Sequence, residues 1–332
     1  MGRNGARLLA VLVVLLAVPD AALGKVLPRS PWAGKARVSI AERLYVTPSG
    51  AGVRVAVSPS YVAQPDIAQS YAEFLDSLPH GDEIRTLNVY IAPPREISDL
   101  CGEDALACYT PDGYRMFVPG EELDASTGLE ARYVVAHEYG HHIAASRSNA
   151  PLDALAYGPK RWASYERVCS AAAQGFLAPG DQGMRYQENP GEAWAETYAQ
   201  LQYPGVRWYY ADSLAPDEGA FGAALADVVE PWTAERSQTF TGRIRRAQAK
   251  RFQIPVRLDG TVSVQLDGPS RAQFDLRVSS GRKVLGRTRA RGSDDSLELR
   301  SFCRRSATER LDVTVVRRSG SGPFSLTVRY AG

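Results

Sequence analysis

The sequence predicts an α+β domain followed by a small all-β sandwich. Three observations point there. Up to about residue 241, runs with strand alternation and runs with helical spacing follow one another. From residue 252 onward the helical period is gone, and short alternating runs sit between Gly, Ser and Pro turns. Between them, VVAHEYGHHIA (134–144) sets three of the chain's four histidines on one expected helix. At 332 residues the chain is long enough for two cores. Its 44% hydrophobic and 23% charged composition is that of a globular protein. A net charge of +2 argues against charge-driven binding to nucleic acid or a membrane surface, so function must be sought in a site.

Residues 1–24 read as a signal peptide. Arg3 and Arg7 give a positive start, and LLAVLVVLLAV (8–18) is an apolar run too short to span a membrane comfortably. Ala22-Leu23-Gly24 offers small residues at the positions a signal peptidase reads, so the mature chain is expected to start near Lys25. It is expected to be secreted, with no stable membrane insertion after cleavage. Export permits disulfides, and the four cysteines allow three pairings. Cys101 and Cys108 enclose only GEDALA, which favours a local bond and leaves Cys169 to Cys303. None has the C-x-x-C spacing of a structural zinc site.

The elements follow in order. VSIAERLYV (38–46) and VRVAV (53–57) alternate as strands around a Ser-Gly-Ala-Gly turn. DIAQSYAEFLDSL (66–78) puts Ile67, Tyr71, Phe74, Leu75 and Leu78 at helical spacing, with Asp66 as cap. LNVYIA (87–92) is a strand ended by Pro93-Pro94, and YRMFV (114–118) a short strand stopped by Pro119-Gly120. Thr127 and Glu130 form a capping-box pattern ahead of a helix reaching about Ser146. Residues 152–175 read as helical, and ENPGEAWAETYAQL (188–201) starts another helix with Pro190 in its first turn. GRIRRAQAKR (242–251) is a basic connector expected as a solvated linker helix. FDLRV, SLELRS, LDVTVV and FSLTVRY alternate as half-buried strands of the sandwich over 252–332.

The chemistry lies in His137-Glu138-Tyr139-Gly140-His141, an H-E-x-x-H pattern on a helix. Residues four apart share one face, so both imidazoles can reach one ion. Glu138 is rotated about a hundred degrees away, close to the ion without being needed as a ligand, and suits the role of general base. His142 is aimed elsewhere and is expected in solvent or behind the ligands. Catalytic zinc takes three protein ligands and an open position. His80, the remaining histidine, lies in a turn well before the motif. Glu192 and Glu196 stand four apart, 51 and 55 residues beyond His141, and their like charges call for a cation between them. Glu192 is the candidate third ligand, and Glu196 the acceptor of a hydrogen bond from a liganding imidazole.

HEYGH followed by NPGEAWAE resembles the gluzincins, zinc metallopeptidases whose second helix supplies a glutamate ligand. The E-x-x-A-E form is similar to that of the zinc domain of bacterial lethal-factor toxins. The resemblance covers about residues 64–201 and implies a zincin-like catalytic domain over 25–241, with one catalytic Zn2+ held by His137, His141 and Glu192. It implies Glu196 as the outer partner and peptide or protein as substrate. The toxin family has a catalytic tyrosine seven residues before its glutamate ligand. Here Tyr186 stands six before Glu192 and Arg185 seven, so Tyr186 is the candidate oxyanion donor at a shifted position. The implied reaction is hydrolysis of peptide bonds by a metal-activated water, with Glu138 as general base and YRMFV as the edge strand that pairs with substrate.

Residues 252–332 resemble the bacterial pre-peptidase C-terminal domain, through AQFDLRVSSGRKVLGRT, SDDSLEL and SGSGPFSLTVRY. That resemblance implies an accessory module whose ligand would be a polysaccharide or a protein. Two other functions are open to the same residues. One is an inactive, zinc-stabilised extracellular binding or adhesion protein. The other is a zinc amidase acting on cell-wall peptides.

Overall fold

The structure, a computed structural model, describes residues 23–33, 41–61, 63–64, 66–123, 127–245, 249–289 and 294–332. Residues 1–22, which carry most of the signal-peptide reading, lie outside these, as does the start of the first expected strand at 38–40. The molecule is mixed α/β, with one sheet among helices and two further sheets that stack on each other.

The first sheet contains β1 (Arg43–Val46), β2 (Gly52–Val57), β3 (Asn88–Ala92), β4 (Cys108–Thr110) and β5 (Arg115–Pro119), in the order β1-β2-β3-β5-β4. β2, β3 and β5 run parallel, while β1 and β4 close the two sides antiparallel. The crossover from β2 to β3 is α1 (Ile67–Ser77), and α2 (Pro94–Cys101) follows β3. This corrects the expected edge. YRMFV becomes β5, which is paired on both sides, and the edge is β4. Three residues beside a disulfide carry too little alternation to announce a strand.

Two central helices hold the site. α3 (Ala131–Ala145) is buried all round apart from Arg132 and Ala145, and every residue of α7 (Pro190–Gln200) is buried. A helix enclosed on all sides needs no polar face. Their backbones approach closely because position 140 is glycine. A Cβ there would stand 2.8 Å from the Ala195 Cα, and Trp194 Nε1 donates to the Gly140 carbonyl at 2.9 Å. Asn189 caps α7 by accepting from Gly191 N at 3.0 Å, and Pro190 fills the first helical position. At α3 the cap position is Glu130, with no side-chain cap bond, while the Thr127 hydroxyl accepts from Leu129 N. Asp66 likewise makes no cap bond at α1.

The expected helix at 152–175 is three short ones: α4 (Ala154–Tyr157), α5 (Lys160–Tyr165) and α6 (Val168–Ala173). Gly158-Pro159 breaks the first junction, and Arg167 at φ 55° breaks the second. α8 (Glu218–Val229) follows α7.

The remaining strands are β6 (Glu235–Ile244), β7 (Ala249–Pro255), β8 (Gly260–Asp267), β9 (Gln273–Ser280), β10 (Lys283–Arg287), β11 (Asp295–Phe302), β12 (Arg310–Ser319) and β13 (Gly322–Ala331). They form antiparallel sheets in the orders β10-β9-β12-β7 and β11-β8-β13-β6. Val264 and Leu326 of one sheet meet Leu276 and Val313 of the other in a shared core, as in a sandwich. The stretch 242–251, expected as a linker helix, instead carries the end of β6 and the start of β7, which lie in opposite sheets. β6 is exposed along most of its length, so it offered no apolar alternation to read.

Disulfides join Cys101 to Cys108 and Cys169 to Cys303. The second ties α6 to the loop after β11, where Asp259 N also donates to Ser164 Oγ and Lys160 Nζ donates to the Asp259 carbonyl. Among the described residues, no helix is long and apolar enough to cross a membrane.

Candidate metal centre

α3 and α7 bring His137, His141 and Glu192 to one point. One ligand atom from each lies within 4.8 Å of the others, and all three side chains are fully buried. Glu192 Oε2 stands 3.2 Å from His137 Nε2 and 3.1 Å from His141 Nε2. The four-residue helical spacing does this for the histidines, and the Asn189-Pro190 start of α7 aims Glu192 from its first turn. Behind His137, Glu196 Oε2 lies 3.2 Å from Nδ1, leaving Nε2 as the atom that faces inward. Tyr133 donates to the other oxygen of Glu196. Two imidazoles and a carboxylate, oriented in this way, are a donor set that can hold a metal ion.

Glu138 stands beside this set, buried, with neither carboxyl oxygen meeting a hydrogen-bond partner among the described residues. Burial raises its pKa well above the ordinary range, and the Glu192 charge adds to the rise. An unsatisfied buried carboxyl is costly and marks a place built for something other than stability.

The charges within the cluster are uneven. Burial disfavours a charged His137, yet Glu192 and Glu196 on its two nitrogens push it up to about 10. His141 faces only Glu192, and burial wins there, lowering it. Burial would raise Glu192, but His141 and His137 hold it well below the usual carboxylate range. A ligand imidazole must be neutral. Zinc uptake at about pH 8 is therefore expected to expel at least one proton per chain, the His137 proton, with affinity climbing as pH rises. Calorimetry in buffers of different ionisation enthalpy measures the proton. Uptake without release would mean that His137 is already neutral.

Tyr186 sits at the rim. Its hydroxyl is 3.0 Å from Glu192 Oε2, 3.2 Å from the Tyr210 hydroxyl and 2.8 Å from the Gly24 carbonyl, to which it donates. Burial raises both tyrosines well above normal, so they stay protonated as donors. Arg185 points away, pairing with Glu188 and the Gly175 carbonyl. His142 is buried on the far side of α3, which rules out the solvent-exposed alternative for it. Its Nε2 is 2.8 Å from the Glu83 carbonyl and its Nδ1 3.3 Å from the Tyr109 hydroxyl, and burial lowers it to about 4. His80 Nδ1 lies 3.0 Å from the Gly81 carbonyl, outside the cluster.

Three members were not visible in the sequence. Gln182 Nε2 donates to Glu192 Oε1 at 2.7 Å, Tyr210 stacks on His137 with ring centres 6.4 Å apart, and Tyr133 holds Glu196. Gln182 and Tyr210 arrive from irregular segments that have no period to read. Tyr133 stands four residues before His137 on the same helix face, and that spacing could have indicated it.

No family model matches the sequence, and no curated protein matches it. Among solved structures, the chain is similar to the Yersinia pseudotuberculosis-derived mitogen over 29% of this chain and 86% of that one, at 12% identity and a TM-score of 0.25. PliG of Aeromonas hydrophila, a periplasmic inhibitor of g-type lysozyme, is similar over 29% and 85%, at 17% identity and a TM-score of 0.23. The pre-peptidase C-terminal domain of a Bacillus anthracis collagenase is similar over 28% and 88%, at 11% identity and a TM-score of 0.23. At scores this low, none of these likenesses assigns the chain to a family.

Proposed function

We propose that this chain is an exported zinc-dependent peptidase of the gluzincin type, in which a zincin-like region carries an accessory β-sandwich. One observation carries the reading: His137, His141 and Glu192 converge in the interior beside Glu138, a buried carboxyl with no hydrogen-bond partner among the described residues. A purely structural metal site has no use for that carboxyl, which disfavours an inactive, zinc-stabilised binding protein. The two disulfides fit an oxidising, extracytoplasmic destination.

When bound, the ion supplies Lewis acidity, lowering the pKa of a coordinated water and polarising a carbonyl. The remaining work belongs to the chain. Positive charge entering the cluster opposes the burial effect on Glu138 and favours its ionised form. Glu138 then takes the proton of the attacking water and hands it to the leaving amine. Tyr186, already donating to a main-chain carbonyl at the rim, is the group that steadies the oxyanion. Glu196 and Tyr133 keep the His137 ring in its orientation.

Purified protein is expected to hold about one zinc per chain and to cleave casein in a chelator-sensitive way, read by mass spectrometry of the digest. Protein that keeps one zinc and cuts nothing would favour the binding or adhesion role. Cleavage confined to purified cell wall would favour the amidase.

A further inference from the structure

The group lying against Glu138 is the chain's own backbone. Residues 24–27 run across the centre, with Val26 in a bridge to the sheet. Tyr109 N donates to the Lys25 carbonyl at 2.9 Å and Leu27 N donates to the Tyr109 carbonyl at 2.8 Å, so Val26 pairs in parallel with the edge strand β4. Val26 N also donates to Gln182 Oε1 at 3.2 Å, the same side chain that reaches Glu192 through its Nε2. Leu23 is buried, and the Gly24 carbonyl accepts from Tyr186. Any larger residue at position 24 would have to shift the Glu138 carboxyl or move away from it. A Cβ there would stand 1.8 Å from Glu138 Oε1 and 3.1 Å from His137 Cδ2. Farther along, Trp32 anchors the segment edge-on against Tyr90 and Phe117, with ring centres 4.9 and 5.0 Å away.

We propose that Leu23–Leu27 is an intramolecular occupant of the peptide channel. It takes the free edge of the sheet and lies across the general base, so an outside peptide reaches Glu138 only once this segment is displaced or cut. The inference rests on the peptidase reading and adds to it the channel, its main-chain partners and its resident. An edge strand satisfies one extended backbone at a time. Tyr109 supplies the main-chain donor and acceptor, and Gln182 links the bound strand to the Glu192 carboxylate. The cut expected before Lys25 would remove Leu23 and Gly24, and Gly24 is the residue that lies against Glu138 and Tyr186. It would leave Lys25–Leu27 on β4. The unprocessed chain is thus closed at its catalytic end and the processed chain open there.

The test compares the uncut full chain, its Gly24→Val and Leu27→Pro variants, and the chain as processed before Lys25. Gly24→Val forces a side chain against Glu138, and Leu27→Pro deletes the donor to Tyr109. Two readouts need no metal: hydrogen exchange at the Tyr109 amide, and binding of an extended synthetic peptide. Leu27→Pro is expected to speed Tyr109 exchange about tenfold, and Gly24→Val to tighten peptide binding about tenfold. Should Leu27→Pro lose its fold, Gly24→Val and the processed chain still decide the matter. Equal peptide affinity in all four forms would overturn the proposal. Casein cleavage separates this from the parent reading. Cleavage at one rate in every form sinks the occupant and keeps the peptidase. Differences in exchange and binding with no cleavage in any form keep the occupant and sink the peptidase.

Discussion

Glu138→Ala is expected to cut hydrolysis by about 10²–10⁴-fold while about one zinc per chain stays bound. Positioned proton transfer contributes that much, and Glu138 is a buried carboxyl beside the donor set whose oxygens have no hydrogen-bond partner among the described residues. The substitution breaks no hydrogen bond, since neither oxygen has a partner among the described residues. It also removes a buried group whose charged form is disfavoured. The variant is therefore expected to fold at least as well as the parent. Steady-state kinetics together with metal analysis on one sample gives the answer. A fully active, zinc-loaded variant would end the mechanism.

Glu192→Gln is expected to fail differently, losing zinc and activity together. The amide keeps the size of the side chain but lacks the charge that both imidazoles face at 3.1 and 3.2 Å. Losing an outer hydrogen-bond partner of a metal site costs roughly 10–100-fold in affinity, and a direct ligand should cost more than that upper figure. Glu196→Gln would fall inside the range, because Glu196 acts only through His137 Nδ1. Competition against a chromophoric chelator ranks the three proteins. Parent-like zinc affinity in Glu192→Gln would remove Glu192 from the ligand set, and the gluzincin assignment with it.

What could be read in advance follows from where the information sits. His137, Glu138 and His141 share one helix, so their geometry is a property of helical spacing. Glu192 could be named because Asn189-Pro190 announces a helix start and two carboxylates four apart need an explanation. The shared position of Glu192 and the histidines is tertiary. It depends on α3 and α7 meeting at Gly140 and Ala195. Gln182 and Tyr210 belong to irregular segments, where neighbours are decided by packing alone. The sandwich was legible in inner strands such as β13, whose alternation separates core from the outer face. β6 was not legible, since it lies at a sheet edge and hides little apolar surface. The sheet edge was misassigned for a related reason. β5 has the better strand sequence because it is interior, and β4 is too short to show a pattern.

The Cys169–Cys303 bond spans 134 residues, and Glu192 lies inside that loop while His137 and His141 lie before it. That arrangement has a consequence for the order of assembly. The bond cannot close until the whole intervening stretch, glutamate helix included, has been delivered to an oxidising compartment. In a chain exported from its N-terminus, as proposed above, the two histidines would cross first. The ring that encloses the glutamate helix could close only after Cys303 had followed.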